Sequence, residues 1–358
     1  MSGVNLGRRN VLKAALVVGG VAGLGAGGLA RLKADPRGPG EFRFRGDAMG
    51  TRYNVAFLAP LAETGLREAA RSAVDDAIAS VDRRMSTFRQ DSELSALNRH
   101  GERGALALSQ ETFEVLDTAQ RVSRASAGAF DVTAGPLVNA WGFGPKQDRR
   151  IPARDELAAL RQRVGFGLLE LDPRARTVRK AHGGMYVDLS GIAKGYGVDR
   201  AAAALEALGI RDYVVELGGE VRARGRNVAG EAWRVGIEEP QDGPRRPRRI
   251  VGLPDMALAT SGDYRIYFDR AGRRYCHEID PASGEPVHHT LTSVTVAAAG
   301  CANADAMATA LMVLGPREGF ELAQRSGLAA YFIERTAAGT LLDRQTSAFG
   351  RLSPAPPA

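Results

Sequence analysis

Apolar and polar residues alternate from Phe42 to Leu58, the two-residue period of a half-buried strand. The alternation breaks at Gly46-Asp47-Ala48-Met49-Gly50, which predicts a pair of strands. The period then lengthens: Leu66, Ala70, Val74, Ala77, Ile78 and Val81 make the buried stripe of a long helix. Shorter helices are predicted over Ser92 to Asn98, Thr112 to Ser126 and Asp155 to Val164, with Gly128 to Pro145 a mixture of loop and helix. Strands are expected over Leu168 to Arg179 and Gly184 to Leu189. A helix opening after Gly191 feeds a strand at Tyr213 to Leu217. Further strands follow at Val221 to Arg224, Trp233 to Glu238, Met256 to Ala259, Tyr264 to Phe268 and Thr292 to Ala298. Helices over Ala304 to Leu314 and Glu318 to Ser326 lead into a closing hairpin from Ala330 to Leu342. Interleaved helices and strands predict an α+β (mixed α/β) protein with two lobes.

Composition changes this picture only at the N-terminus. Five of the seven net positive charges, Arg8, Arg9, Lys13, Arg31 and Lys33, fall in the first 34 residues, which hold no acid. Gly7-Arg8-Arg9-Asn10-Val11-Leu12-Lys13 followed by a glycine- and alanine-rich apolar run reads as a twin-arginine export signal over 1–34. The expected location is periplasmic, with retention at the inner membrane if the segment stays uncleaved. A spacer over 35–41, one domain over 42–345 and a flexible tail over 346–358 complete the organisation, the last residues from Ser353 being rich in Pro and Ala. The rest of the chain is nearly balanced and shows no basic stripe interleaved with aromatics, so no nucleic-acid partner is expected. Cys276 and Cys301 are too few for a disulfide framework. The run Arg245-Arg246-Pro247-Arg248-Arg249 sits among Pro and Gly and reads as a solvated loop.

Candidate chemistry concentrates at Val187 to Asp199, where a carboxylate, three glycines and Lys194 occupy a strand-to-helix corner. The unpaired N–H groups and positive dipole end of a helix favour phosphate there, and glycines let a ligand approach the backbone. A solvated lysine on a glycine-rich turn is the plainer alternative. Asp305 and Thr309 lie four apart on a predicted helix and share a face, so hard oxygen donors can converge on Mg²⁺; ordinary dipole complementarity accounts for the same aspartate. Phe88 precedes a helix capped by Asp91 or Ser92 and can stack on a planar ring or join the core. Gly128 to Pro136 offers small residues on which a flat ligand could lie. Ser261 lacks the G-x-S-x-G elbow of a serine hydrolase, and His277 with Asp280 suits either proton transfer or a structural hydrogen bond.

Laid in order, these segments resemble the ApbE family of flavin transferases, the FAD:protein FMN transferases. The likeness runs from Met49-Gly50-Thr51 through Ser92-Glu93-Leu94-Ser95, Ala129-Phe130-Asp131, Trp141-Gly142-Phe143-Gly144, Asp188 to Asp199, Leu217-Gly218-Gly219, Thr260 to Tyr264 and His277 to Pro281, and ends at Asp305 to Thr309. The resemblance implies an ApbE/T-fold-like arrangement of two interleaved lobes around one FAD cleft. It implies FAD contacts from Met49, Phe88, Ala129, Phe130, Asp131, Asp188, Lys194 and Ile279. It also implies Mg²⁺ bound by Asp305 and Thr309 with backbone oxygens from Gly191 and Ala308. The chemistry of the residues themselves adds a catalytic group: Lys194 and Asp305 for neutralising phosphate charge, and His277 as the candidate for proton transfer. The implied reaction moves FMN from FAD to a threonine hydroxyl of an exported acceptor protein and releases AMP. Water in place of the threonine gives an FAD pyrophosphatase, and a non-catalytic FAD-binding protein is the third reading. Cys276 departs from the family's pattern beside His277.

Overall fold

The computed structural model describes residues 39–352, apart from 102, 103 and 242. The export segment, most of the spacer and the residues from Ser353 onward lie outside the described residues. Its centre is an eight-stranded antiparallel sheet. In spatial order the strands are Pro39–Ala48, Thr51–Pro60, Tyr213–Leu217, Glu220–Arg224, Ala257–Gly262, Leu291–Ala298, Ala329–Arg335 and Leu341–Gln345. The first strand begins at Pro39, inside the span expected as a spacer. The helices, in chain order, are α1 (Thr64–Met85), α2 (Glu93–Arg99), α3 (Gln110–Ala125), α4 (Gly135–Ala140), α5 (Arg154–Arg161), α6 (Ala193–Ala207), α7 (Cys301–Arg325) and α8 (Ser347–Gly350).

Both faces of the sheet are covered, which is why its central strands read as continuous apolar runs. Every residue of Tyr213–Leu217 is buried. On one face α1 and α6 press Ala70, Val74, Ile78, Val198 and Leu205 against Val55, Phe57, Tyr213 and Val215. On the other, an antiparallel ribbon of Trp233–Glu238 and Pro247–Leu253 inserts Trp233, Val235, Ile237, Val251 and Leu253. That ribbon takes in the end of the arginine run, and Arg248 holds Asp343 at 2.6 Å, so the expected solvated loop stops at Arg246. Phe349 of α8 is fully buried on the same face and stacks on Tyr331, so residues 346–352, expected as part of a flexible tail, are packed against the sheet.

A smaller lobe, attached through a continuous core, supplies the other half of the cleft. It holds α2 to α5, a three-stranded sheet of Leu106–Ala107, Thr177–Lys180 and Leu169–Asp172, and a hairpin of Tyr267–Arg270 and Arg273–Cys276. Ser92 caps α2 by accepting the Ser95 amide at 3.0 Å. The predicted strand at Gly184 to Leu189 does not join any sheet. Its extended backbone is satisfied from the side instead: Asn98 exchanges two hydrogen bonds with Val187, and Val132 accepts from the Asp188 amide at 2.7 Å. Lys180, almost fully buried, donates to the carbonyls of Leu97, Asn98 and Met185, tying α2 to the same segment. Tyr264 to Ile266 is likewise irregular, and the strand starts at Tyr267.

The two helices expected at 304–314 and 318–326 form one kinked rod, α7, bent where Gly315 has φ +79° and Pro316 follows. Proline cannot donate to the Met312 carbonyl four residues earlier, and the His289 ring does so instead, Nε2 to oxygen at 2.9 Å. His289→Ala leaves that carbonyl without its donor and should cost about 1–3 kcal/mol of stability. A lower denaturation midpoint with an unchanged m-value checks it.

Candidate functional site

The site begins at a close crossing of α6 and α7. A Cβ on Gly195 would drive into the Cys301 carbonyl and lie 2.8 Å from Asp305 Cβ, so glycine is required for the helices to touch there. Contact at that point brings the first turn of α6 onto Asp305, whose Oδ2 accepts the Gly195 amide at 3.0 Å. Lys194, one residue earlier, donates to Glu220 Oε1 at 2.6 Å and sits 3.8 Å from Asp305 Oδ1. The second Glu220 oxygen is buried with no hydrogen-bond partner. Asp199, one turn further along α6, closes the same junction: its two oxygens accept the Cys301 and Ala302 amides at 2.9 Å each, capping α7 where Gly300 cannot.

Around this junction lies a cleft of about 1240 Å³ between the lobes. Pockets for small molecules commonly enclose roughly 300–1,000 Å³, so this one has room for an extended dinucleotide. Twelve of the thirteen candidate residues line it: Met49, Phe88, Ala129, Phe130, Asp131, Asp188, Gly191, Lys194, His277, Ile279, Asp305 and Thr309. Ala308 lies behind the wall, fully buried in α7. Met49 occupies the turn between the first two strands with φ +48°. Phe88 is 61% exposed at the mouth, a placement that rules out the core alternative and leaves a ring free to stack. Phe130 is buried in the main core, and Gly191 faces both its ring and the Thr309 hydroxyl. Ile279 belongs to a small cluster with Leu137, Trp141 and Leu157.

Two candidate carboxylates hold their own loops. Asp131 accepts the Thr133 amide and hydroxyl on one oxygen and the Phe166 amide on the other, at 2.6–2.7 Å. Burial raises its pKa while those donors oppose the shift. Asp188 Oδ1 accepts both the amide and hydroxyl of Ser190, an Asx turn that shapes the strand-to-helix corner. Thr309 shares a 3.1 Å hydrogen bond with Ser261, so the Ser261 hydroxyl is engaged away from any base. Asp305, Thr309 and Ser261 thus put carboxylate and hydroxyl oxygens on the cleft lining, with Gly191 beside the Thr309 hydroxyl.

Electrostatics follow from burial. Desolvation raises Asp305, partly offset by Lys194 and the Gly195 amide. Burial by itself would lower Lys194, but the adjacent Asp305 and Glu220 carry it above its ordinary value, so its ammonium persists. His277 is pushed down to about 4, first by burial and then by the Lys194 charge, so its ring is neutral at physiological pH. Its Nδ1 is buried without a partner, and its edge meets the Phe143 ring. Glu278 is raised to about 8 by burial. Cys276 and Cys301 are separate buried thiols, Cys276 raised to about 12 by desolvation. Glu220 and Glu278 escaped the sequence reading; the one usable signal was the Gly218-Gly219 pair beside Glu220, both with positive φ.

A sheet-backed cleft whose helix junction presents a shielded ammonium, carboxylates and hydroxyls defines an α+β protein built to handle a phosphorylated ligand. The chain belongs to the ApbE family, whose profile matches residues 49–332. A Haemophilus influenzae FAD:protein FMN transferase is 41% identical over 313 residues, 86% of this chain and 90% of that protein. The flavin transferase ApbE from Vibrio cholerae superposes with a TM-score of 0.80 at 38% identity, covering 88% of this chain and all of that one. The apo Pseudomonas stutzeri flavinyl transferase ApbE gives 0.80 at 37% identity, with 88% and 97% covered.

Gly195→Ala must separate α6 from α7 and should lower stability by about 1–3 kcal/mol, read as a shifted denaturation midpoint. His277 should keep the chemical shift of a neutral ring down to pH 5 in a histidine-labelled NMR titration; protonation near pH 6.5 contradicts its buried placement. In the unfolded chain this ring takes up its proton near 6.5. The folded pKa is depressed, so the His277 contribution to stability is present above 6.5 and is lost as pH falls toward 4.

Proposed function

We propose that the protein transfers FMN from FAD to a threonine hydroxyl of an exported acceptor protein, releasing AMP. The observation that carries this reading is the convergence of Met49, Phe88, Lys194, His277 and Asp305, far apart in sequence, on one dinucleotide-sized cleft. In the step itself the hydroxyl oxygen bonds to the FMN-side phosphorus, the bond from that phosphorus to the bridging oxygen breaks, AMP leaves with that oxygen, and the hydroxyl loses its proton. Such a displacement depends on alignment and on neutralising phosphate charge more than on covalent help.

Each residue has a part in that chemistry. Phe88, exposed at the mouth, provides a face for the isoalloxazine ring, with Met49 and Ala129 beside it. Lys194 offers a persistent positive charge to the pyrophosphate, held in place by Glu220. His277, neutral and lining the cleft, can accept the hydroxyl proton. Mg²⁺ would be held by Asp305 and Thr309 with a backbone oxygen of Gly191, and would neutralise the pyrophosphate oxygens; Ala308, behind the cleft wall, is not placed to join them. The oxygen-only donors at the cleft floor suit that hard ion, which commonly takes one or two protein carboxylates and leaves the remaining positions to phosphate and water. We assign the export segment and a periplasmic location to the same reading, since the acceptor is then met outside the cytoplasm.

Asp305→Ala should reduce AMP release from FAD in Mg²⁺ by about 10²-fold or more. Undiminished release removes the metal assignment. Incubating the wild-type protein with FAD, Mg²⁺ and a candidate exported acceptor should leave flavin fluorescence on the denatured acceptor. FMN and AMP formed beside a flavin-free acceptor would identify a hydrolase instead.

A further inference from the structure

A second concavity, of about 520 Å³, lies at the edge of the sheet away from α7 and has no part in the chemistry above. Arg43 and Arg45 of the first strand and Arg67 and Arg71 of α1 ring it, and Ala56 and Asn54 form its floor. Arg67 and Arg71 each donate to a backbone carbonyl, of Arg43 at 3.3 Å and of Arg45 at 3.2 Å, which covers the open edge of the strand and gathers the guanidinium groups. Glu41 pairs with Arg43, and Asp75 lies 3.7 Å from Arg71. Among the described residues neither Arg45 nor Arg67 has an ion pair, and all four arginines are exposed. With Arg43 and Arg71 paired to Glu41 and Asp75, the charge left without an ion pair at this rim is that of Arg45 and Arg67.

The concavity is connected to the cleft. Arg45 pairs in register with Asn54, and Asn54 with Glu216. Asn54 donates to Glu216 at 2.6 Å, and Glu216, which lines the cleft, accepts the Gly219 amide at 2.8 Å. Two strand spacings place Arg45 about 10 Å from the Glu216 wall, the span of about three extended residues.

We infer that the arginine concavity docks an acidic segment of the acceptor protein, at least three residues from the hydroxyl that enters the cleft. The inference rests on the transferase reading, and charge complementarity with continuity to the cleft selects a protein segment over a lipid surface. Contacts of this kind act on encounter and affinity, weaken with salt and leave chemistry at the reacting atoms untouched.

The test is direct binding, independent of flavin. A fluorescein-labelled peptide with four aspartates set three residues from a threonine, and its four-lysine counterpart, are titrated against the full chain by anisotropy. The aspartate peptide should bind more tightly, lose affinity as salt rises, and bind at least about tenfold more weakly to Arg45→Glu with Arg67→Glu. Arg45→Gln with Arg67→Gln, which adds no charge, should show an intermediate loss at an unchanged Tm and covers the case in which charge reversal unfolds the edge. FAD binding, followed by flavin fluorescence, should be the same in all three proteins; its absence from all three would count against the transferase reading alone. Equal binding of both peptides, or equal affinity of wild type and variants, overturns the docking site. So does binding of phosphatidylglycerol vesicles that the variants lose while neither peptide is preferred, an outcome that would assign the arginines to lipid.

Discussion

The crossing of α6 over α7 at Gly195 is the constraint on which the site depends. Removing one side chain there lets two helix backbones come together, and the contact is what places Lys194 beside Asp305. The crossing is secured twice, by the Gly195 amide on Asp305 and by Asp199 on the first two amides of α7. Asp199 also holds Arg222 of the central sheet at 2.5 Å, so helix junction and sheet are one hydrogen-bonded unit. A buried ammonium between two carboxylates would be an expensive ornament if packing alone were needed. Here the group is partly open to the cleft, with one Glu220 oxygen still unpartnered, which is the state of a site arranged to receive a further charged species.

The two lobes divide the work. The large sheet, covered on both faces, gives a rigid wall carrying Glu220, Ser261 and the α6–α7 junction. The smaller lobe gives loops whose shape is set by side chains rather than by strand ladders: Asn98 and Lys180 hold 185–189, Asp131 holds its own turn and the Phe166 amide, and Trp141 donates to the Gly284 carbonyl at 2.8 Å. Loops stitched in this way can be precise without being regular, and they present backbone groups and small residues to a ligand. Stacking of Trp141, Tyr275 and Phe268, with Phe143 against Phe268, supports the hairpin that leads into His277.

Periodicity made the long elements legible and failed where side chains replace ladders. The stripe from Leu66 to Val81 is the buried face of α1, and the alternation from Phe42 to Leu58 puts Phe42, Phe44, Val55 and Phe57 on one side of the sheet, so their spacing carries the structure. Gly184 to Leu189 has the composition of a strand, but its partners are Asn98 and Val132, contacts made over long sequence separations that no local pattern encodes. The join of the two C-terminal helices was obscured by Gly315 and Pro316, which locally read as a stop; the repair by His289 comes from a distant loop. The candidate site was legible through ordered motifs, because a ligand imposes residue types at fixed places. Glu220 and Glu278 were not, since a buried carboxylate in a strand or loop looks like a surface acid until its neighbours are known.

The same logic explains why an enzyme with a nearly neutral body can have two electrostatic characters. In the cleft the ammonium is neutralised by built-in carboxylates, so burial sets the protonation states and the site resists changes in bulk salt. At the sheet edge the arginines are exposed and, among the described residues, Arg45 and Arg67 have no ion pair, so whatever they attract is held weakly, reversibly and in a salt-dependent way. Tight handling of a small pyrophosphate and loose capture of a macromolecule are opposite requirements. The Arg45–Asn54–Glu216 row, about 10 Å across, runs from that edge to the cleft wall, so one sheet carries both electrostatic characters.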